Sequence, residues 1–221
     1  MYLRCKYAGA VASLALGWAV LGAAQQPSLV RPSKPFTVEI SSIPAKIYSE
    51  LDKSRVDMGQ VFAVPKLKGY SEGTLPASYT LLFYKTRKWY AVAPSLRVCV
   101  YDVVPPGRMG CDDPINVLLM SPPKASANTK ITALGEETVG GVRCTVERLT
   151  SSDPNVAPPG GLKMWVSKDL GILVKAEGRG PDGKPMTLVS LDSVTLGKAD
   201  PKLFVPPAYC QYAAGSAPPC K

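Results

Sequence analysis

Six cysteines are the residues of this chain with the most evident chemistry, and histidine is absent. Without histidine, a cysteine or serine nucleophile lacks its commonest general base. No Cys-x-x-Cys pair occurs, which disfavours a zinc site. The sequence therefore favours disulfides over catalysis or metal binding. The cysteines are Cys5, Cys99, Cys111, Cys144, Cys210 and Cys220.

The sequence leaves the disulfide pairing open. Proximity along the chain favours Cys99 with Cys111, and it weakly favours Cys210 with Cys220, which would tie down the tail. Cys144 would then be a buried free thiol. A bridge between Cys144 and Cys210 is nearly as well supported.

Other short motifs predict structure rather than catalysis. Asp112-Asp113 is a carboxylate pair, but Asp113 before Pro114 is typical of a helix N-cap. Gly140-Gly141 is followed by no Gly-Lys-Ser/Thr, so it predicts a strand bend and not a phosphate loop. Trp165 is predicted to be a core residue on a sheet face and not a ligand stacker. We therefore expect no enzymatic activity, no metal and no cofactor.

The first 24 residues have the three-part layout of a cleavable export signal. Arg4 and Lys6 form a short basic region, an uncharged apolar stretch follows, and Gly22-Ala23-Ala24 supplies small residues before the expected cut. The apolar run is shorter than the roughly 20 residues that span a bilayer. We expect a soluble protein of the periplasm or the exterior, an oxidising compartment in which cysteines pair.

The net charge is +9, and the basic residues are scattered instead of clustered. This charge suits a basic exported protein, or attraction to an anionic membrane surface. No nucleic-acid recognition module occurs. Residues 25–35 form a Pro-rich linker, residues 36–210 have the length of a single domain, and residues 211–221 are predicted to be a flexible tail.

Alternation with a period of two predicts about nine or ten strands between residues 36 and 196. Phe36 to Ser41 is the clearest example, and residues 59–76 are predicted to be a loop. A short helix is predicted from Asp113 to Met120, and a single turn from Asp200 to Phe204. The fold class is mainly β, a single curved antiparallel sheet with one or two short helices.

Several segments resemble the periplasmic LolA-like domains, which are related to outer-membrane lipoprotein carriers. The resemblance extends over residues 36–210 and is carried by the order of the motifs. The chain is most similar to the uncharacterised relatives of that fold, since it lacks the longer helical lid of the carriers. The segments are Ala45–Met58, Tyr79–Tyr84, Lys88–Pro94, Leu134–Val146, Lys163–Val166 and Asp200–Tyr209.

The resemblance implies a half-barrel whose concave face holds the acyl chain of a lipid or lipoprotein. The alternative is an interaction or sensor module of the cell envelope that binds a protein partner and no lipid. The candidate lining residues are the apolar positions of the long strands, each of which could equally be ordinary core. They are Ile47, Leu51, Leu81, Phe83, Val98, Val100, Val142, Val146, Met164, Val174 and Leu188.

Overall fold

A computed structural model describes residues 33–42, 44–64, 73–105, 119, 125, 127–153, 156–180 and 182–214. These residues form thirteen strands and two single 3₁₀ turns, Pro94–Leu96 and Pro201–Phe204. The strands are β1 Phe36–Ile40, β2 Ala45–Ser49, β3 Lys53–Val64, β4 Gly73–Phe83, β5 Lys88–Ala93, β6 Val98–Val103, β7 Thr129–Val139, β8 Val142–Ser151, β9 Leu162–Ser167, β10 Leu173–Arg179, β11 Pro185–Ser190, β12 Ser193–Leu196 and β13 Gln211–Tyr212.

The strands divide into two open sheets, and the predicted mainly β class is confirmed. The large sheet has eight strands in the order β12-β1-β2-β3-β4-β5-β6-β13, and the small sheet has five in the order β11-β10-β9-β8-β7. All pairs are antiparallel except β13 with β6. The sequence predicted one sheet because it could not show where hydrogen bonding stops. The chain passes from the large sheet to the small sheet between β6 and β7, and it returns between β11 and β12, at Leu191 and Asp192.

Two glycines set the joint between the sheets. Gly140 and Gly141 form the β7–β8 turn with φ of 59° and 85°, the left-handed region that glycine adopts without strain. At this turn the Val194 amide donates to the Gly140 carbonyl at 2.7 Å, which attaches the small-sheet hairpin to β12 of the large sheet. The predicted bend at these glycines is confirmed.

Alternating side chains explain why β1 and β2 are strands. Phe36, Val38 and Ile40 are buried on one face of β1, and the residues between them are half-buried or exposed. β2 and the first part of β3 form a hairpin, closed by a 2.9 Å bond from the Glu50 amide to the Lys53 carbonyl. Burial of one face per strand is the main stabilising contribution to such a sheet.

Some predicted boundaries are wrong. Residues 59–76 are not one loop, because β3 continues to Val64 and β4 begins at Gly73. The tail is not loose from residue 211, because Gln211 and Tyr212 pair with Val100 and Tyr101. The helix predicted from Asp113 lies outside the described residues, apart from Leu119, which is a bend. The turn at Asp200 is confirmed, since Asp200 Oδ1 accepts from the Lys202 amide at 2.9 Å.

Candidate functional site

The inner face of the large sheet is the face on which β1, β2 and β3 pack against the small sheet. Val38, Ile47 and Val56 contact one continuous cluster of buried side chains with Val146 and Val174 of the small sheet. All are less than 9 % exposed. We call this the inner cluster. At this end the concave side is therefore filled by the protein's own side chains.

Across β4, β5 and β6 the same inner face has a different composition. The register runs from Val56 to Thr80, Ala91 and Val100, so these side chains share the face of the inner cluster. We call the buried cluster here the alanine floor, because four of its members are alanines. Among the described residues, no side chain of the small sheet belongs to it. Its members are Ala77, Leu82, Tyr84, Trp89, Ala91, Ala93, Val100, Val104 and Ala213, with Val98 at its margin.

Two serines lie between the inner cluster and the alanine floor. Ser49 of β2 is directly opposite Ser54 of β3 in the register. Ser49 is also opposite Phe36 of the inner cluster, and Ser54 is opposite Leu82 of the alanine floor. Both serines are 1 % exposed. Neither side-chain oxygen has a hydrogen-bond partner among the described residues. This pair could not be predicted from the sequence, because the spacing of two serines is not distinctive.

The outer face of the large sheet is covered by residues 198–210, which we call the strap. Phe204 of the strap lies in a buried cluster with Leu81, Tyr90 and Val92. Arg55 holds the strap in place, since its Nη1 donates to the Leu203 carbonyl at 2.8 Å. The outer face is therefore also occupied by the chain itself.

Aromatic rings extend the outer face toward its edge. Phe83, Tyr90 and Tyr101 form a row across neighbouring strands. The ring centroids of Phe83 and Tyr90 are 5.7 Å apart, and those of Tyr90 and Tyr101 are 5.5 Å apart. Tyr212 follows at 5.5 Å from Tyr101 and is 57 % exposed. Burial raises the pKa of the Tyr90 phenol, with a smaller effect of Tyr101 in the same direction. These rings pack the sheet, and the raised pKa keeps the Tyr90 phenol neutral at physiological pH.

The predicted lining residues do not share one surface. Leu51 is in the β2–β3 turn and is 58 % exposed, so the expectation that it faces the same way as Ile47 is wrong. The others divide by strand parity, because successive side chains point to opposite faces. Ile47, Val142, Val146 and Val174 lie in the inner cluster; Val98 and Val100 belong to the alanine floor; Leu81 and Phe83 are under the strap; Met164 and Leu188 are in a fourth cluster on the small sheet.

Trp165 is a core residue with a polar edge. It is 3 % exposed and belongs to the inner cluster, as the sequence analysis predicts. Its indole N–H donates to Glu137 Oε2 at 2.8 Å, and Lys163 and Lys175 lie over the ring at 4.4 and 4.7 Å. The hydrogen bond from Trp165, followed by the pair with Lys163, holds the pKa of Glu137 below its usual value. The indole edge is thereby satisfied internally.

The disulfide joins Cys99 of β6 to Cys210 at the end of the strap. The predicted pairs Cys99 with Cys111 and Cys210 with Cys220 are wrong, as is the alternative Cys144 with Cys210. Strand pairing across the fold decides the partner, and chain proximity does not. Cys111 and Cys220 lie outside the described residues. The bridge indicates folding in an oxidising, extracytoplasmic compartment.

Cys144 is a buried free thiol, which is one of the two states that the sequence left open for it. Burial raises the pKa of this thiol. A buried thiol that stays protonated is a poor nucleophile. Among the described residues, no three acidic or cysteine side chains are grouped to hold a metal ion. Within the same part of the chain, no helix is long and apolar enough to cross a membrane.

Comparison with models of protein families gives no match, and comparison with curated proteins gives none either. Solved structures do match in fold. MucB is 10% identical, with a TM-score of 0.41, over 93% of this chain and 66% of MucB. The MucA/MucB complex of Pseudomonas aeruginosa is 13% identical, with a TM-score of 0.40, over 80% of this chain and 56% of that one. A LolA-superfamily protein from Nitrosomonas europaea is 10% identical, with a TM-score of 0.24, over 86% of this chain and 97% of that protein.

The chain spans less than two thirds of the length of MucB. At such identities and scores no ligand and no residue role is transferred.

Proposed function

We propose that the chain is an exported, non-enzymatic binding protein of the periplasm or exterior, and that it holds the acyl chain of a lipid or lipoprotein. The export signal predicted over residues 1–24 and the extracytoplasmic disulfide support the location. The basic net charge supports an encounter with an anionic membrane surface.

The alanine floor is the observation that carries the proposal. Ala91 and Ala93 are both fully buried. Each has only a methyl group as its side chain, so the strand surface at these positions occupies little of the space above it. Ligand sites for apolar molecules are concave and lined by apolar side chains. The alanine floor is already buried in the ligand-free protein. A bound acyl chain would therefore have to replace contacts that the protein itself makes with the floor.

The first test is lipid content. Native mass spectrometry of the protein purified from its own compartment is expected to show a copurified lipid, and a fluorescent fatty-acyl probe is expected to bind. If the folded protein carries no lipid and takes up no probe, the carrier function is excluded.

The second test places the ligand. We expect Ala91→Val to weaken binding of the acyl probe about tenfold, because added methyl groups occupy the space of the hydrocarbon. Ala176→Val is the matched control, since Ala176 is equally buried but lies in the fourth cluster. It should bind the probe as the wild type does. Equal binding by Ala91→Val and the wild type would place the ligand elsewhere.

A second candidate function, an interaction or sensor module of the envelope without a lipid ligand, is supported by strand β7. This edge strand of the small sheet pairs with β8 alone among the described strands. Seven successive residues, 132–138, are exposed. A long exposed edge can accept an extended segment of a partner protein by strand addition. Glu136 and Glu137, which carry ion pairs to Lys168 and Lys163, would favour a basic segment.

Thr138→Pro tests this second function. In the register Thr138 is opposite Arg143, next to the closing pair of a two-residue hairpin, so its amide points away from β8. Proline would remove that donor with little effect on the β7–β8 ladder. If an envelope protein captured by the wild type is also captured by this variant, β7 is not the docking edge.

A further inference from the structure

The serine pair of the large sheet has an unusual geometry for two polar side chains. The hairpin that joins β2 to β3 is closed by the Glu50–Lys53 bond, so the next pair, Ser49 and Ser54, is a non-hydrogen-bonded pair. Side chains approach most closely at such positions, where the Cα atoms are about 4.5 Å apart. The two hydroxyls therefore stand side by side on the inner face.

Burial makes this pair costly for the free protein. Each serine is 1 % exposed, and neither hydroxyl has a partner among the described residues. A buried hydroxyl without a hydrogen bond loses its bonds to water and regains nothing. Buried polar groups are paired in the great majority of cases, so two adjacent exceptions call for a partner outside the described residues, which a bound ligand would supply.

The position of the pair indicates what that partner carries. Ser54 is opposite Leu82, the first side chain of the alanine floor, and Leu82 is opposite Trp89. A hydrocarbon lying on the floor would therefore have one end beside the two hydroxyls. That end must offer an oxygen to accept hydrogen bonds.

Charge on the row excludes a free carboxylate as the favoured partner. The row runs Phe36, Ser49, Ser54, Leu82, Trp89 and Asp102, and its one charged member is an acid. The nearest bases along β3 are on the outer face, where Lys53 lies over Phe204 and Arg55 over Tyr79. The described part of this row offers no cation, and a carboxylate buried there would be strongly disfavoured, whereas a neutral ester carbonyl would not.

We propose that the Ser49 and Ser54 hydroxyls donate hydrogen bonds to the ester carbonyl oxygen of an acyl chain bound on the alanine floor. This inference rests on the proposed carrier function and names its ligand class as an acyl ester. The serine pair then sets the register of the ligand, and the floor supplies the apolar contact.

The experiment uses the full chain purified from its export compartment and stripped of lipid. Three probes of equal chain length are compared by fluorescence titration: a fluorescent acyl methyl ester, the corresponding free acid and the corresponding alkane. Thermal unfolding of the ligand-free protein is measured in parallel. The variants are Ser49→Ala, Ser54→Ala and the double variant.

We expect the double variant to bind the ester about tenfold or more weakly and the alkane unchanged. We also expect its ligand-free Tm to stay the same or to rise by about 2–4 °C, because unpaired buried hydroxyls are removed. Ser167→Ala is the matched control. Ser167 is also 1 % exposed, but its hydroxyl accepts a hydrogen bond from the Leu170 amide at 3.3 Å. This variant should therefore have a lower Tm than the wild type and bind the ester with unchanged affinity.

The outcomes separate the two proposals. If the wild type binds none of the acyl probes, the carrier function fails and this inference fails with it. If the wild type binds the ester and the double variant binds it equally well, the inference alone is overturned. A fall in Tm for the double variant, like that of Ser167→Ala, would also overturn it, since the hydroxyls would then have a structural partner.

Discussion

Removing the disulfide with Cys99→Ala and Cys210→Ala together should lower the free energy of unfolding by about 4 kcal/mol. The bridge closes a loop with a sequence separation of 111 residues, and long loops gain most from a crosslink in the chain-entropy description. The variant also frees the end of the strap, which buries Leu81, Tyr90 and Phe204 on the outer face. Urea unfolding of the unreduced proteins measures the difference.

Cys144→Ala is the control for this prediction. It removes a buried sulfur without removing a crosslink, and it should cost about 1 kcal/mol from the small cavity it leaves. Peptide mapping of the unreduced wild type should show Cys99 joined to Cys210. A double variant within 1 kcal/mol of the wild type, or a mapped bridge between Cys99 and Cys111, would contradict the structure.

Gly161→Ala is expected to have the second largest effect, about 3 kcal/mol. Gly161 precedes β9 with φ of 79°, and a Cβ at this position would lie 2.4 Å from the Leu149 carbonyl oxygen. That oxygen belongs to the backbone of β8, so it cannot rotate away. The loop must shift, and with it the Ala157 contact that covers Leu149 and Leu162.

Gly171→Ala separates the clash from the strain. Gly171 has a similar φ of 66°, but a Cβ there has no atom within 4 Å among the described residues. We expect it to cost about 1 kcal/mol, the ordinary penalty of a left-handed alanine. Chemical denaturation of both variants gives the comparison. If both variants lose the same free energy of unfolding, the loop moves away from the Leu149 carbonyl oxygen without a measurable loss of stability.

The strand pattern of the sequence predicted most of the fold because burial alternates along the strands. β1 and β2 follow the expected period of two, and β8 follows it from Val142 to Glu147. The division into two sheets could not be predicted, since it depends on hydrogen bonds between residues far apart in the chain. The disulfide between Cys99 and Cys210 could not be predicted for the same reason, because the strap brings Cys210 across the sheet to β6.

The candidate site was predicted less well. Parity along one strand identifies residues that share a face, but it does not relate the faces of different strands. Ile47 and Leu81 were assigned to one lining, yet the register places Ile47 with Val56 and Leu81 with Arg55, on opposite faces. The serine pair could be found only from the register and burial together, because Ser49 and Ser54 are separated in sequence by the hairpin turn.

The pairing of β1 with β12 has a consequence for the order in which the chain folds. Phe36 lies opposite Leu196, so the first strand of the large sheet is bounded on one side by residues near the end of the described chain. The sheet cannot close until almost all of the polypeptide is available. Contacts of such long range make folding slow. For a chain exported as proposed, late closure of this sheet would keep the polypeptide unfolded until its last strands had crossed the membrane.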